Sequence, residues 1–371
     1  MLVLSLVGGL VLLVLGGELL VRGGSGLGRA MGLSPLVVGL TIVAFATSAP
    51  ELAVSLDATR SGSPGLAVGN VVGSNIANVL LVLGLSALLL PVAVGSQLIR
   101  TDVPVMVAVS VLVLLIALDG AVGRVEGLLL VVLLVAYVAW ILRLSRRQGI
   151  DLPVPGAVVA AAPRPLRDAA LVVVGVALLV LGARLLVGAA TEIAGAFGVS
   201  DLVIGLTVVA VGTSLPELAT SVIAAVRGQR EMAIGNVVGS NIFNLTVVLG
   251  LTAAIAPGGV PVDAAALRFD LPVMVAVAVA LVPIVVTGRE IARWEAGVFV
   301  AYYVAYVAYL LLEASDHDAL PAFSVVMLAF VVPITVLTLA VLLAYEVGVR
   351  RGRRQQLAQP AADRPELARD T

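Results

Sequence analysis

The chain has 371 residues, 61% of them hydrophobic and 12% charged, with a formal net charge of −1. Soluble domains average about 45–50% apolar residues, and runs such as 103–118 and 273–286 offer no charged face to water, so the composition excludes an ordinary soluble domain and predicts a polytopic membrane protein. Cysteine is absent and histidine occurs once, at His317, which excludes disulfides and thiolate metal sites and argues against imidazole chemistry; near-neutral charge leaves no basic surface for nucleic acid.

Taken in chain order, apolar segments long enough to cross a hydrocarbon core of about 30 Å fall at 2–21, 33–59, 66–90, 103–119, 125–144, 168–188, 201–226, 231–256, 270–287, 294–312 and 322–346. Eleven spans are predicted. The first begins apolar at Met1 without a basic leader and is expected to be a retained transmembrane helix. Every basic residue is arginine, and short cytoplasmic loops are enriched in arginine. With the N-terminus outside, 18 of the 22 arginines fall on the cytoplasmic side and Arg60, Arg124, Arg184 and Arg268 on the other. The predicted organisation is a five-helix unit at 1–145, a proline-rich cytoplasmic linker at 146–167, a second five-helix unit at 168–313, an additional transmembrane helix at 314–348, and a basic cytoplasmic tail at 349–371 expected to be exposed and disordered.

The two units repeat one another. Residues 41–84 match 207–250 without a gap, including Gly69-Asn70-Val71-Val72-Gly73-Ser74-Asn75-Ile76 against Gly235-Asn236-Val237-Val238-Gly239-Ser240-Asn241-Ile242 at an offset of 166. A weaker echo sets Arg100-Thr101-Asp102-Val103-Pro104-Val105-Met106 against Arg268-Phe269-Asp270-Leu271-Pro272-Val273-Met274. Five helices are an odd number, so the second copy enters the membrane from the opposite face, an inverted repeat of the kind secondary transporters use. The expected fold is therefore all-α, a ten-helix core of two inverted repeats plus one extra C-terminal helix.

Chemistry concentrates where each repeat is interrupted. Thr47-Ser48-Ala49-Pro50-Glu51 and Thr213-Ser214-Leu215-Pro216-Glu217 put a proline and a carboxylate inside an apolar span. Proline removes a donor and displaces the carbonyl four residues back, at Ala46 and Gly212, so each helix is expected to break just ahead of its glutamate. Hydroxyls of Thr47, Ser48, Thr213 and Ser214 lie within one turn of the acids, and Ser74 with Asn78, and Ser240 with Asn244, share one helical face at a spacing of four. All are hard oxygen donors suited to Na⁺ or Ca²⁺. Ser, Thr and Asn in membrane helices commonly serve as interhelical hydrogen-bonding groups instead, whereas an intramembrane carboxylate costs several kcal/mol and marks an ion or proton pathway. Asn70, Asn75, Asn236 and Asn241 read equally as packing groups or caps. Asp102 and Asp270 read as helix caps, Glu18 and Asp57 as partners of nearby arginines or interface residues, Glu126, Glu290 and Glu295 as interfacial charges, and Tyr302, Tyr303, Tyr306 and Tyr309 as core or belt aromatics.

At the doubled Thr-Ser-x-Pro-Glu and Gly-Ser-Asn-Ile-x-Asn motifs the chain resembles the prokaryotic sodium/calcium exchangers of the calcium/cation antiporter superfamily, over roughly residues 1–312. That resemblance implies ion sites among helices two, three, seven and eight. Glu51 and Glu217 would bind both ions, Thr47, Ser48, Thr213, Ser214, Ser74 and Ser240 would supply hydroxyls, Asn78 and Asn244 side-chain oxygens, and Ala44 and Ala210 backbone carbonyls. It also implies an integral protein of the prokaryotic plasma membrane, with Ca²⁺ and Na⁺ as transported substrates, no cofactor, and no obligatory protein partner. Family members often carry an aspartate where this chain has Asn244. The expected activity is Ca²⁺/Na⁺ exchange by alternating access at one central site, and the alternative is a proton/calcium antiporter using the same two acids. A membrane enzyme with paired acids leaves the duplicated hydroxyls and amides unexplained, and a scaffold protein needs no buried charge.

Overall fold

Long apolar runs must close every backbone hydrogen bond internally once they enter lipid, which leaves the helix as the one open-ended solution. In the computed structural model, which describes residues 2–63, 65–147, 164–198, 207–208 and 210–358, this produces α1 (Leu2–Met31), α2 (Pro35–Arg60), α3 (Gly65–Leu89), α4 (Leu98–Asp119), α5 (Arg124–Arg147), α6 (Pro165–Ala196), α8 (Arg230–Ile255), α9 (Ala266–Val286) and α10 (Arg293–Ala314). Between α6 and α8 lies α7, described as Ala210–Thr213 and Leu215–Val226, the remainder of the span expected at 201–226. A last span, α11 (Leu320–Glu346), runs on as helix to Ala358. Among the described residues ten helices are long and apolar enough to cross a membrane.

Three boundaries depart from expectation. α1 extends ten residues past its predicted end, to a length of 30 residues or about 45 Å; Glu18 and Arg22 pair with each other one turn apart and let the helix continue past them. α6 likewise begins at Pro165 and reaches Ala196. The stretch from Arg350 to Ala358, expected to be disordered, is helical, consistent with an Arg/Gln-rich segment that meets no proline until Pro360. The linker residues 148–163 and the tail 359–371 lie outside the described residues.

The core is built from α2, α3, α7 and α8, which pack on one another while α1 and α6 form a separate pair against them. Most residues of α3 and α8 in their apolar windows are buried, whereas the corresponding window of α11 has none. α1 and α6 meet along glycines spaced by seven. A Cβ on Gly9 would stand 2.9 Å from the carbonyl oxygen of Gly182, and one on Gly16 2.8 Å from that of Gly175, so only glycine allows these two antiparallel backbones to touch. Two short antiparallel ribbons tie the halves together at the loops. β1 (Val92–Ala93) pairs with β4 (Glu290–Ile291), and β2 (Ala121–Val122) pairs with β3 (Val260–Pro261). Each ribbon joins the loop between the third and fourth helices of one half to the loop between the fourth and fifth of the other.

Asp102 and Asp270 do not cap their helices. Asp102 is fully buried and its Oδ1 accepts a hydrogen bond from the Tyr137 hydroxyl at 2.9 Å, and Asp270 Oδ1 accepts from Tyr306 at 2.9 Å. The phenol reaches in from the fifth helix of each half and takes the role expected of the helix's own amides. Capping falls instead to two of the presumed interfacial charges: Glu126 accepts from the Gly123 N–H ahead of α5, and Glu295 from the Ala292 N–H at 2.8 Å ahead of α10.

Candidate functional site

Each half breaks its second helix where proline was expected to act. The first half is helical over Ala44–Thr47, opens at Ser48 (φ −80°, ψ −1°) and resumes at Ala49–Arg60. The second is helical over Ala210–Thr213, opens at Ser214 (φ −91°, ψ 5°) and resumes at Leu215–Val226. The break sits two residues before the proline, so Pro50 and Pro216 fall in the first turn of the resumed helix, where no backbone donor is needed. Glu51 and Glu217 lie in that same first turn, beside the positive end of a helix dipole that favours negative charge.

Both glutamates are completely buried, and Glu51 lies within electrostatic reach of Glu217. Around them the buried side-chain oxygens and amides of Ser48, Ser74, Asn78, Ser214 and Asn244 make no hydrogen bond, and the four carboxylate oxygens have no partner beyond the approach of the Thr47 hydroxyl to Glu217. Buried polar groups are nearly always paired, and an unpaired one costs about 1–3 kcal/mol, more for a charge. This concentration of unpaired oxygen donors, duplicated about the two halves, fits a desolvated cation.

Asn78 and Asn244 each open a π-helical turn, over Asn78–Leu83 and Asn244–Val248. Such a turn widens the helix locally and is common at functional sites. The close approach of α8 to α2 comes from Gly239, whose Cβ would lie 2.7 Å from that of Ala44. Through that contact Thr47 of the first half reaches Ser240 (3.3 Å between hydroxyls) and the Asn236 side-chain oxygen (3.2 Å) of the second. The Ala44 carbonyl, expected to face an ion, already accepts from the Ser48 N–H at 2.9 Å and the Thr47 hydroxyl at 3.3 Å. Thr213 is half-buried at the break, and Ala210 opens the turn that leads to it.

Two groups of residues gain defined contacts: Asn70 and Asn236, read from the sequence as packing groups or caps, with Ser55 and Ser221, and Glu18, read as a partner of nearby arginines, with Ser25 and Gln229. Asn70 and Asn236 hold the backbone of the glutamate segments: Asn70 Nδ2 donates to the Glu51 carbonyl (3.1 Å) and to Ser55 Oγ (3.0 Å), and Asn236 Nδ2 donates to the Glu217 carbonyl (3.5 Å) and to Ser221 Oγ (2.9 Å). Ser55 and Ser221 stand at the same offset of 166 as the glutamates, which was the available signal. The other group is Glu18, which pairs with Arg22 and with Arg227 (2.6 and 2.9 Å), and Ser25, which donates to Gln229 at 2.7 Å. These contacts clasp the end of α1 to the connection between α7 and α8. At the repeat position of Glu18 stands Arg184, so the second half cannot form the same contact.

The family model described as sodium/calcium exchanger protein matches residues 1–143 and 168–312. The putative antiporter CaxA of Alkalimonas amylolytica is 41% identical over 316 residues, covering 82% of this chain and 97% of the relative. The sodium/calcium exchanger MaX1 of Methanosarcina acetivorans is 35% identical over 338 residues, covering 81% of this chain and 96% of the relative. Among solved structures, the sodium-calcium exchanger NCX_Mj soaked with 10 mM Na⁺ and zero Ca²⁺ superposes with a TM-score of 0.70 at 31% identity, covering 83% of this chain and 99% of that one. With its helical membrane fold, its doubled motif and these relatives, the chain belongs to the sodium/calcium exchanger protein family.

Proposed function

We propose that the chain, an integral membrane antiporter of the sodium/calcium exchanger protein family and a transporter rather than an enzyme, exchanges Ca²⁺ for Na⁺ by alternating access at one central site built on Glu51 and Glu217. The observation that carries this reading is the pair of fully buried, unpaired glutamates, set in two broken helices and surrounded by unpaired oxygen donors. Thr47, Ser48, Thr213, Ser214, Ser74 and Ser240 contribute hydroxyls, Asn78 and Asn244 side-chain oxygens, and Ala44 and Ala210 carbonyls.

Two carboxylates are neutralised by one Ca²⁺ or by two Na⁺, whereas an empty site carries two bare charges through a low-dielectric region. Only the loaded carrier then changes sides, and competition for the same acids makes exchange obligatory. α1 and α6 are the elements that slide, and their glycine-lined contact supports their moving together against the α2, α3, α7 and α8 core.

The cross-paired ribbons support the inverted arrangement of a unit at 1–145 and a unit at 168–313, because a two-fold axis in the membrane plane exchanges the β1–β4 ribbon with the β2–β3 ribbon. With the N-terminus outside the plasma membrane, the first ribbon is cytoplasmic, the second external, and the C-terminus inside. The coupling ion is tested by ⁴⁵Ca²⁺ uptake into proteoliposomes under imposed Na⁺, K⁺ or pH gradients. Uptake driven by the Na⁺ gradient alone is expected. Uptake driven by a pH gradient in sodium-free vesicles would replace Na⁺ with H⁺ as the exchanged ion.

A further inference from the structure

Asn70 and Asn236 stand 166 residues apart at the same place in the two halves, and the hydrogen bonds of each go to the helix that carries a glutamate. A side-chain amide nitrogen has two hydrogens, and both are spent: one on the glutamate's own carbonyl, the other on a serine one turn further along. The Asn236 side-chain oxygen in turn accepts from Thr47, which belongs to the opposite half. One amide thus joins the Glu217 backbone to the broken helix that carries Glu51. These bonds attach in the first turn after each break, where the intrahelical ladder is incomplete and gives the backbone least restraint.

We propose that Asn70 and Asn236 are positioning residues for the exchange reaction, setting the placement of the Glu51 and Glu217 carboxylates and, through Thr47, linking the two. The inference rests on the reading of the two glutamates as the ion ligands. Ca²⁺ binds oxygen within about 2.3–2.6 Å, and one divalent ion neutralised by two carboxylates needs both in place together. Two Na⁺ ions divide the acids between them and tolerate a relative shift of the two segments better. Loss of either amide therefore weakens Ca²⁺ recognition more than Na⁺ recognition, a split that general loosening of the fold does not produce.

The test is initial-rate exchange in proteoliposomes for Asn70→Ala and Asn236→Ala, with the melting temperature of each purified variant. The KM for Ca²⁺ is expected to rise roughly five- to tenfold, the scale of one lost hydrogen bond to a positioned group, while the Na⁺ concentration for half-maximal exchange moves by less than about twofold. Equal shifts for both ions, or an unchanged Ca²⁺ KM in a folded variant, would overturn the proposal. Should either alanine variant fail to fold, Ser55→Ala and Ser221→Ala remove only a hydroxyl that the amide holds, and an unchanged Ca²⁺ KM in both would count equally against it. Retained exchange in Glu51→Gln would instead overturn the site reading on which the proposal rests, so the two failures are distinguishable.

Discussion

The two halves of the molecule are alike where they enclose the glutamates and unlike where they meet the pair α1 and α6. Glu51, Asn78 and Ser55 each have an equally buried twin 166 residues on, and the amide-to-serine bond of Asn70 recurs at Asn236, while the Thr47 hydroxyl reaches Ser240 and Asn236 and leaves Ser74 without a partner. Glu18 has no acidic twin, and among the described residues its contacts with Arg22 and Arg227 clasp the C-terminal half of α1 without a counterpart on α6. A site that must serve both faces of a membrane gains from matched halves, because neither face then holds the ion more tightly. A preference for one conformation can be set separately, by contacts at the helix ends.

The largest effect expected from breaking this symmetry is at the acids. Glu51→Gln and Glu217→Gln should each lower Ca²⁺ exchange on the order of a hundredfold or more, since removing one partner of a buried charge contact costs about 3–5 kcal/mol. Flux in vesicles checks it, and equal losses in the two variants would confirm that the halves contribute equally. Next, Asn244→Asp and Asn78→Asp each add a third carboxylate. Either should make exchange respond to a valinomycin-imposed potential differently from the parent, because one Ca²⁺ no longer neutralises the site. The two substitutions should agree with each other, and a response confined to one of them would show that the amides are not equivalent.

The clasp comes third. Arg227→Gln or Glu18→Gln removes a partly exposed ion pair worth about 1 kcal/mol or less, so hydrogen–deuterium exchange over residues 18–31 should rise by no more than about fivefold. The corresponding change at Arg184, the repeat position, should leave exchange in α6 unaltered. Smallest are Tyr137→Phe and Tyr306→Phe, each expected to cost about 1 kcal/mol in thermal unfolding. Tyr137→Phe should cost more, because Asp102 is fully buried while Asp270 is half-buried.

Much of the architecture was legible because the ungapped match at an offset of 166 fixes which residues are twins. The breaks at Ser48 and Ser214 follow from Pro50 and Pro216, and the oxygen-rich surroundings follow from the motifs. The Tyr137–Asp102 and Tyr306–Asp270 bonds were not legible in the same way. They span 35 and 36 residues, and the loop before the fifth helix adds one more residue in the second half. A comparison at offset 169 does align Arg124, Glu126 and Tyr137 with Arg293, Glu295 and Tyr306. Without that shift Asp102 and Asp270 read as caps and Glu126 and Glu295 as interfacial charges. The length of α1 was misjudged for another reason: a carboxylate and a guanidinium one turn apart satisfy each other and let a helix continue past them. The cross-paired ribbons depend on loops brought together by folding, for which two-residue segments carry no sequence signal.

The most direct test of the central claim is calorimetric titration of the purified protein with Ca²⁺, with and without Na⁺, in the parent, Glu51→Gln and Glu217→Gln. One shared site predicts a single Ca²⁺ per chain, displaced competitively by Na⁺ and lost in either variant alone. Two Ca²⁺ ions per chain, or full binding in one of the two variants, would show that the glutamates serve separate sites and would contradict the account.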